Sequence, residues 1–87
     1  MLKVVQIWRS KMIKQLDDYR YNEYTKEVVH IIYKYQRLDY TPKKGEILYG
    51  VRSNKPDFFY GNLISSKDQV FWCAYIKISK AKAILLW

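Results

Sequence analysis

Apolar positions in the first half of the chain recur with the spacing of an α-helix. Within residues 2–19, one narrow stripe at 3.6 residues per turn is formed by Val5, Trp8, Met12, Leu16 and Tyr19. A second stripe runs from Tyr24 to Leu38, and Asn22 stands where a helix N-cap is expected. This half therefore predicts a helical hairpin.

The segment 27–35, EVVHIIYKY, also carries a competing strand pattern. Val29, Ile31, Tyr33 and Tyr35 alternate, and β-branched and aromatic residues favour strands. The length of the apolar stripe favours helix, and the strand stays an alternative. A strand here would redraw the sheet and relocate His30, the single histidine.

The period changes to two after the segment TPKKG, residues 41–45. Pro42 and Gly45 end the helical half, and alternation predicts strands at about 46–52, 57–64, 69–78 and 82–87. The expected fold is α+β in one domain spanning 1–87. An N-terminal helical hairpin (1–42) packs on a C-terminal antiparallel β-meander of three to four strands (43–87).

The most apolar stretch, QVFWCAYIKIS at 69–79, has large side chains on both faces if it is a strand. The face expected to receive the helices carries Leu48, Phe59, Leu63, Val70, Trp72, Ala74, Ile76, Leu85 and Trp87. The second face carries Ile47, Tyr49, Val51, Phe58, Tyr60, Phe71, Cys73 and Tyr75. Four ways of burying this second face remain open: helices that straddle the sheet, closure into a small barrel, a second copy of the chain, or stacked unpaired bases.

Length and composition limit the class of protein. The chain has 87 residues, of which 49% are hydrophobic and 28% charged, which is typical of one globular domain. No apolar run approaches the ~18 residues of a membrane helix, and the first residues lack a signal-peptide pattern. With a single cysteine, the expectation is an intracellular, cytoplasmic protein with no membrane partner.

Net charge is +8, from 16 basic and 8 acidic residues, which favours a polyanionic partner. Twelve of the basic residues are lysines, so most of the excess is point charge. In the predicted meander, cations stand at both rims of the aromatic face, as a groove following a phosphate backbone requires. These cations are Lys43, Lys44, Arg52, Lys55, Lys77 and Lys80.

Catalytic signals are weak. On a helix, His30 would share a face with Lys26, Tyr33 and Arg37, which is more typical of a solvated surface than of an acid–base site. Asp17 and Asp18 would point about 100° apart. No second histidine or nearby cysteine supports a zinc site, and Cys73 lies among aromatics, where burial makes a thiol inert. We expect no enzyme, metal or cofactor.

The functional hypothesis is a small basic non-catalytic protein that binds nucleic acid, with single strands favoured, or a nucleic-acid-associated protein. The five aromatics of the second face would stack, and the six cations would neutralise phosphate. The first alternative is a protein-interaction module, such as an inhibitor, immunity or accessory subunit of phage or mobile-element type. The second is a metal-free ribonuclease. A homodimer through the sheet is also open.

Overall fold

Five strands form one antiparallel sheet in the computed structural model of the chain, which describes residues 13–36 and 46–87. In chain order they are β1 (Ile13–Asn22), β2 (Glu27–Gln36), β3 (Ile47–Ser53), β4 (Leu63–Ser65) and β5 (Ile76–Ile78). Two short helices, α1 (Gln69–Ala74) and α2 (Lys80–Leu86), flank β5. The order across the sheet is β4-β3-β2-β1-β5, so β2 is central.

The predicted N-terminal helical hairpin is wrong, because residues 13–36 form the two longest strands of the sheet. β1 and β2 span ten residues each and pair from Ile13↔Tyr35 to Asn22↔Glu27. Segment 27–35 therefore takes the strand alternative, since its β-branched and aromatic side chains fit a pleated surface. Residues 2–12 of the first predicted helix lie outside the described residues.

Asn22 caps a turn rather than a helix. Its side-chain oxygen accepts hydrogen bonds from the backbone N–H groups of Tyr24 (2.9 Å) and Thr25 (3.2 Å), much as an N-cap would. The chain then reverses, because Lys26 has a φ of 64° and its N–H donates to the Asn22 carbonyl at 2.8 Å. The same side-chain chemistry that predicts a helix start thus closes the β1–β2 hairpin.

The predicted strands at 69–78 and 82–87 are also wrong over most of their length. Asp68 and Ser79 cap α1 and α2, accepting from the N–H groups of Phe71 (3.2 Å) and Lys82 (3.1 Å). The predicted strand at 57–64 is reduced to β4, whereas the strand at 46–52 recurs as β3. The antiparallel sheet is confirmed, with different segments in it.

Each helix covers one face of the sheet, so both faces are buried within the chain. The α1 face holds a buried cluster made of Val29, Ile31, Val51, Ile64, Phe71 and Tyr75. The α2 face holds a smaller one made of Tyr19, Val28 and Ala83. The covering helices are the two short ones at 69–86, not the predicted hairpin.

Arg20 ties α1 to the sheet. Its Nη1 donates to the Tyr75 carbonyl at 2.8 Å, and its guanidinium carbon lies 4.8 Å from the centre of the Trp72 ring. The Tyr75 hydroxyl donates to the Glu27 carboxylate, and Trp72 Nε1 donates to the Ser65 carbonyl at 2.9 Å. Burial and the Glu27 hydrogen bond raise the pKa of Tyr75 to about 12.

Two substitutions distinguish a helix at 69–74 from the strand predicted there. Phe71→Ala removes a fully buried ring and is expected to lower the free energy of unfolding by about 3–5 kcal/mol. Val70→Ala changes a side chain that is 71% exposed, and should cost no more than about 0.5 kcal/mol. Urea denaturation measures both. A Val70→Ala loss as large as that of Phe71→Ala would contradict the helix.

Tyr75 makes the stability sensitive to alkali. Its folded pKa is raised from 10.0 to about 12, so its contribution is complete below pH 10.0 and is lost as the pH rises through about 12. Tyr75→Phe cannot ionise and should show a smaller alkaline loss of melting temperature than wild type. Tyr24→Phe, which alters a ring that is 88% exposed, is the matched control and should follow wild type. Equal pH profiles for all three proteins would overturn this role of Tyr75.

Candidate functional site

The structure brings the five predicted aromatic residues together, but in the interior. Phe71 and Tyr75 are buried and stack with ring centres 4.6 Å apart. Tyr60 is half-buried, with its ring centre 5.3 Å from that of Phe71 and 5.6 Å from that of Phe58. Tyr49 packs edge-on against Trp72 at 4.8 Å. These rings form the core of the α1 face, so most of their area is covered by each other rather than offered to a ligand.

The predicted cations are spread over both sides of the sheet. Arg52 is exposed and Lys55 half-buried, and both line a cavity of about 470 Å³ together with Phe58. Lys77 on β5 and Lys80 at the start of α2 are exposed. Lys43 and Lys44 lie outside the described residues. Among these cations, Arg52 and Lys80 lie next to a polar cluster that contains His30.

A polar cluster on the α2 face is the most chemically distinctive site among the described residues. Tyr19 and His30 are register partners on β1 and β2, and their rings stack with centres 4.2 Å apart and planes 4° from parallel. His30 Nε2 lies 2.7 Å from Asp17 Oδ1, and Lys80 Nζ lies 3.3 Å from Asp17 Oδ2. One carboxylate therefore joins the sheet to the start of α2.

Hydrogen bonding and burial shift the pKa of two members of this cluster, Asp17 and Tyr19. Hydrogen bonds from His30 and then Lys80 hold the pKa of Asp17 below its ordinary value of 3.8. An ionised carboxylate only accepts, so His30 donates through Nε2. Burial, and then the hydrogen bond with Asp17, raises the pKa of Tyr19 above 10.0.

A cavity of about 380 Å³ opens beside the stacked rings. Tyr19 and His30 line it from the sheet, and Ala83, Ile84 and Trp87 line it from α2 and the residue that follows. Arg52 stands opposite His30 in the β2–β3 register. The cavity thus has aromatic and aliphatic walls with charged groups close by, as small-ligand sites do.

Chemically, a carboxylate that orients an imidazole is the arrangement of a general base. The ribonuclease alternative therefore stays an untested hypothesis, in which His30 would be the general base. On a strand, His30 groups with Tyr19 and Asp17. Of its predicted partners, Arg37 lies outside the described residues.

Asp17, Tyr19 and Trp87 were not predicted as site residues. Their grouping requires the hairpin register, and the signal for it was present. The segment EYTK, residues 23–26, separates two alternating runs, and centring a turn there places Tyr19 opposite His30. Trp87 could not be found this way, because its position follows from the docking of α2.

No known protein family, curated protein or solved structure matches this chain. Within residues 13–36 and 46–87, no helix is long and apolar enough to cross a membrane. In the same two ranges, no three His, Cys, Asp or Glu side chains come together as a metal site would need.

The interactions of Asp17 are expected to make the melting temperature depend on pH in the acid range. Its folded pKa lies below 3.8, so its ion pairs contribute fully above that value and are lost as the pH falls through the lower, folded pKa. Asp17→Asn should lower the melting temperature at neutral pH, and its difference from wild type should shrink in acid. The effect is small, because Asp17 is 55% exposed.

Asp57→Asn is the matched control, because Asp57 is an exposed loop carboxylate. Thermal denaturation followed from neutral to acid pH measures all three proteins. A difference between Asp17→Asn and wild type that stays constant with pH would contradict the pairing with His30 and Lys80.

Proposed function

We propose that this protein is a small non-catalytic binding protein for nucleic acid, and that it contacts the phosphate backbone on the α2 face. The observation that carries the proposal is the position of Arg52, an exposed cation opposite His30 on the next strand. Arg52 lines the 470 Å³ cavity, and its register partner His30 lines the 380 Å³ cavity. An exposed cation beside an aromatic-lined cavity is an arrangement that can follow a strand.

Arg52 is available for a phosphate. It is exposed, and it has no ion pair with any other described residue. A guanidinium presents a planar fork of donors that matches two phosphate oxygens, and it stays charged at every relevant pH. On the α1 face, by contrast, the Arg20 guanidinium is already occupied by the Tyr75 carbonyl and the Trp72 ring.

Lysines next to this face add a favourable field. Lys80 and Lys82 are exposed, and no acidic residue occurs from 69 to 87. Positive charge of this kind raises the association rate with a polyanion and makes affinity salt-dependent.

A protein-interaction module is the second candidate, and one observation favours it. Ile84, Leu85 and Trp87 leave large apolar surfaces exposed around α2. Contiguous apolar surface of this type is common where proteins bind one another. An inhibitor or accessory subunit would use the same face, with hydrophobic burial rather than charge as its main source of affinity.

Salt dependence tests the proposal. We expect a labelled single-stranded oligonucleotide to bind at about 50 mM salt and to weaken steeply by about 200 mM. Arg52→Gln and Lys80→Gln should each weaken binding and reduce the slope of log affinity against log salt by about 0.7, the value for one lost phosphate contact on a single strand. Fluorescence anisotropy measures both quantities.

Lys67→Gln is the matched control, because Lys67 is an exposed lysine between β4 and α1, outside both cavities. It should keep the wild-type slope. If all three variants lose the same amount, binding is general charge attraction and the proposed face is wrong. If the wild-type protein does not bind even at low salt, the nucleic-acid proposal fails and the protein-interaction candidate replaces it.

A further inference from the structure

The cavity between α2 and the sheet has the size and walls of a pocket for one planar ring system. Its volume of about 380 Å³ falls within the range of small-molecule sites. Tyr19 and His30 present a parallel pair of rings on one side. Ile84 and Trp87 on the other side are 65% and 52% exposed, so their apolar surfaces are largely uncovered.

Polar groups stand beside this cavity, and His30 is one of the residues that line it. His30 and Asp17 form a hydrogen-bonded pair, and Lys80 contacts the second oxygen of that carboxylate. A nucleobase has this mixed character, with apolar faces for stacking and a hydrogen-bonding edge. A purely aliphatic ligand would leave the His30–Asp17 pair facing apolar surface.

Charge complementarity identifies what the base would be attached to. Arg52 lies opposite His30 on the next strand, and Lys80 begins the helix that walls the cavity. Both are exposed cations, so an anionic chain can run past the opening while one of its bases enters. A paired base is stacked within a duplex and cannot enter, which selects an unpaired one.

We propose that this cavity binds one unpaired nucleobase of a single-stranded nucleic acid, held by stacking with Trp87 and by the polar edge at His30. The inference rests on the proposed nucleic-acid function and deepens it by naming the ligand class and the pocket. It also assigns Trp87 a binding role separate from the core, since its side chain is half-exposed whereas the buried residue of α2 is Ala83.

The test compares three ligands and three variants. The ligands are a single-stranded oligonucleotide, an abasic strand of the same length, and the matching duplex. The variants are Trp87→Ala, its conservative counterpart Trp87→Phe, and Leu85→Ala. Leu85 is 86% exposed on the same helix and does not line the cavity, so it controls for lost apolar surface.

We expect Trp87→Ala to weaken binding of the natural single strand about 5- to 100-fold, the range for loss of one stacked base. It should leave abasic-strand and duplex affinities unchanged. Trp87→Phe should recover most of the loss, and Leu85→Ala should match wild type. Thermal denaturation checks that each variant is folded.

Three results would overturn the pocket, and they can be told apart from failure of the proposed function. Equal affinity of wild type for natural and abasic strands shows backbone binding without a base pocket. Equal losses in Trp87→Ala and Leu85→Ala show a general apolar contribution. Loss of abasic-strand affinity in Trp87→Ala shows a disturbed surface. Absence of binding to all three ligands at low salt overturns the nucleic-acid function and the pocket together.

Discussion

The structure depends on burying the central strand from both sides at once. Val28 and Val29 are adjacent in β2, both are fully buried, and they point into opposite clusters. A strand covered on two faces needs a layer on each, and residues 69–86 supply both. α1 covers the Val29 side, β5 pairs with the edge of β1, and α2 covers the Val28 side. The three residues of β5 connect the two layers.

This arrangement divides the aromatic residues by role. On the α1 face, Phe58, Tyr60, Phe71 and Tyr75 mostly contact each other and build the larger core. On the α2 face the cluster is small, because the buried residue of α2 is an alanine. The short side chain of Ala83 leaves room beside the Tyr19–His30 stack, and that room is the candidate pocket. The functional proposal therefore follows from unequal packing of the two helices.

Sequence predicted the antiparallel sheet, β3 and the strand alternative for 27–35, but assigned most segments to the wrong element. Two kinds of ambiguity caused this. Helical and strand periods cannot be distinguished where apolar residues are dense, as in EVVHIIYKY. In the folded protein this segment is a strand because both of its faces are buried. Capping residues are equally ambiguous: Asn22 closes a hairpin, whereas Asp68 and Ser79 start helices. The candidate site could not be predicted without the β1–β2 register, because Asp17 and His30 come together only across these paired strands.

The central claim is that the α2 face, and not the aromatic cluster of the α1 face, binds nucleic acid. Amide chemical-shift mapping by NMR, with a single-stranded oligonucleotide titrated into isotope-labelled protein, tests it most directly. The account predicts that the largest shifts fall at Tyr19, His30, Arg52 and from Lys80 to Trp87. Shifts concentrated at Tyr60, Phe71 and the exposed side of α1, or no shifts at any ratio, would contradict it.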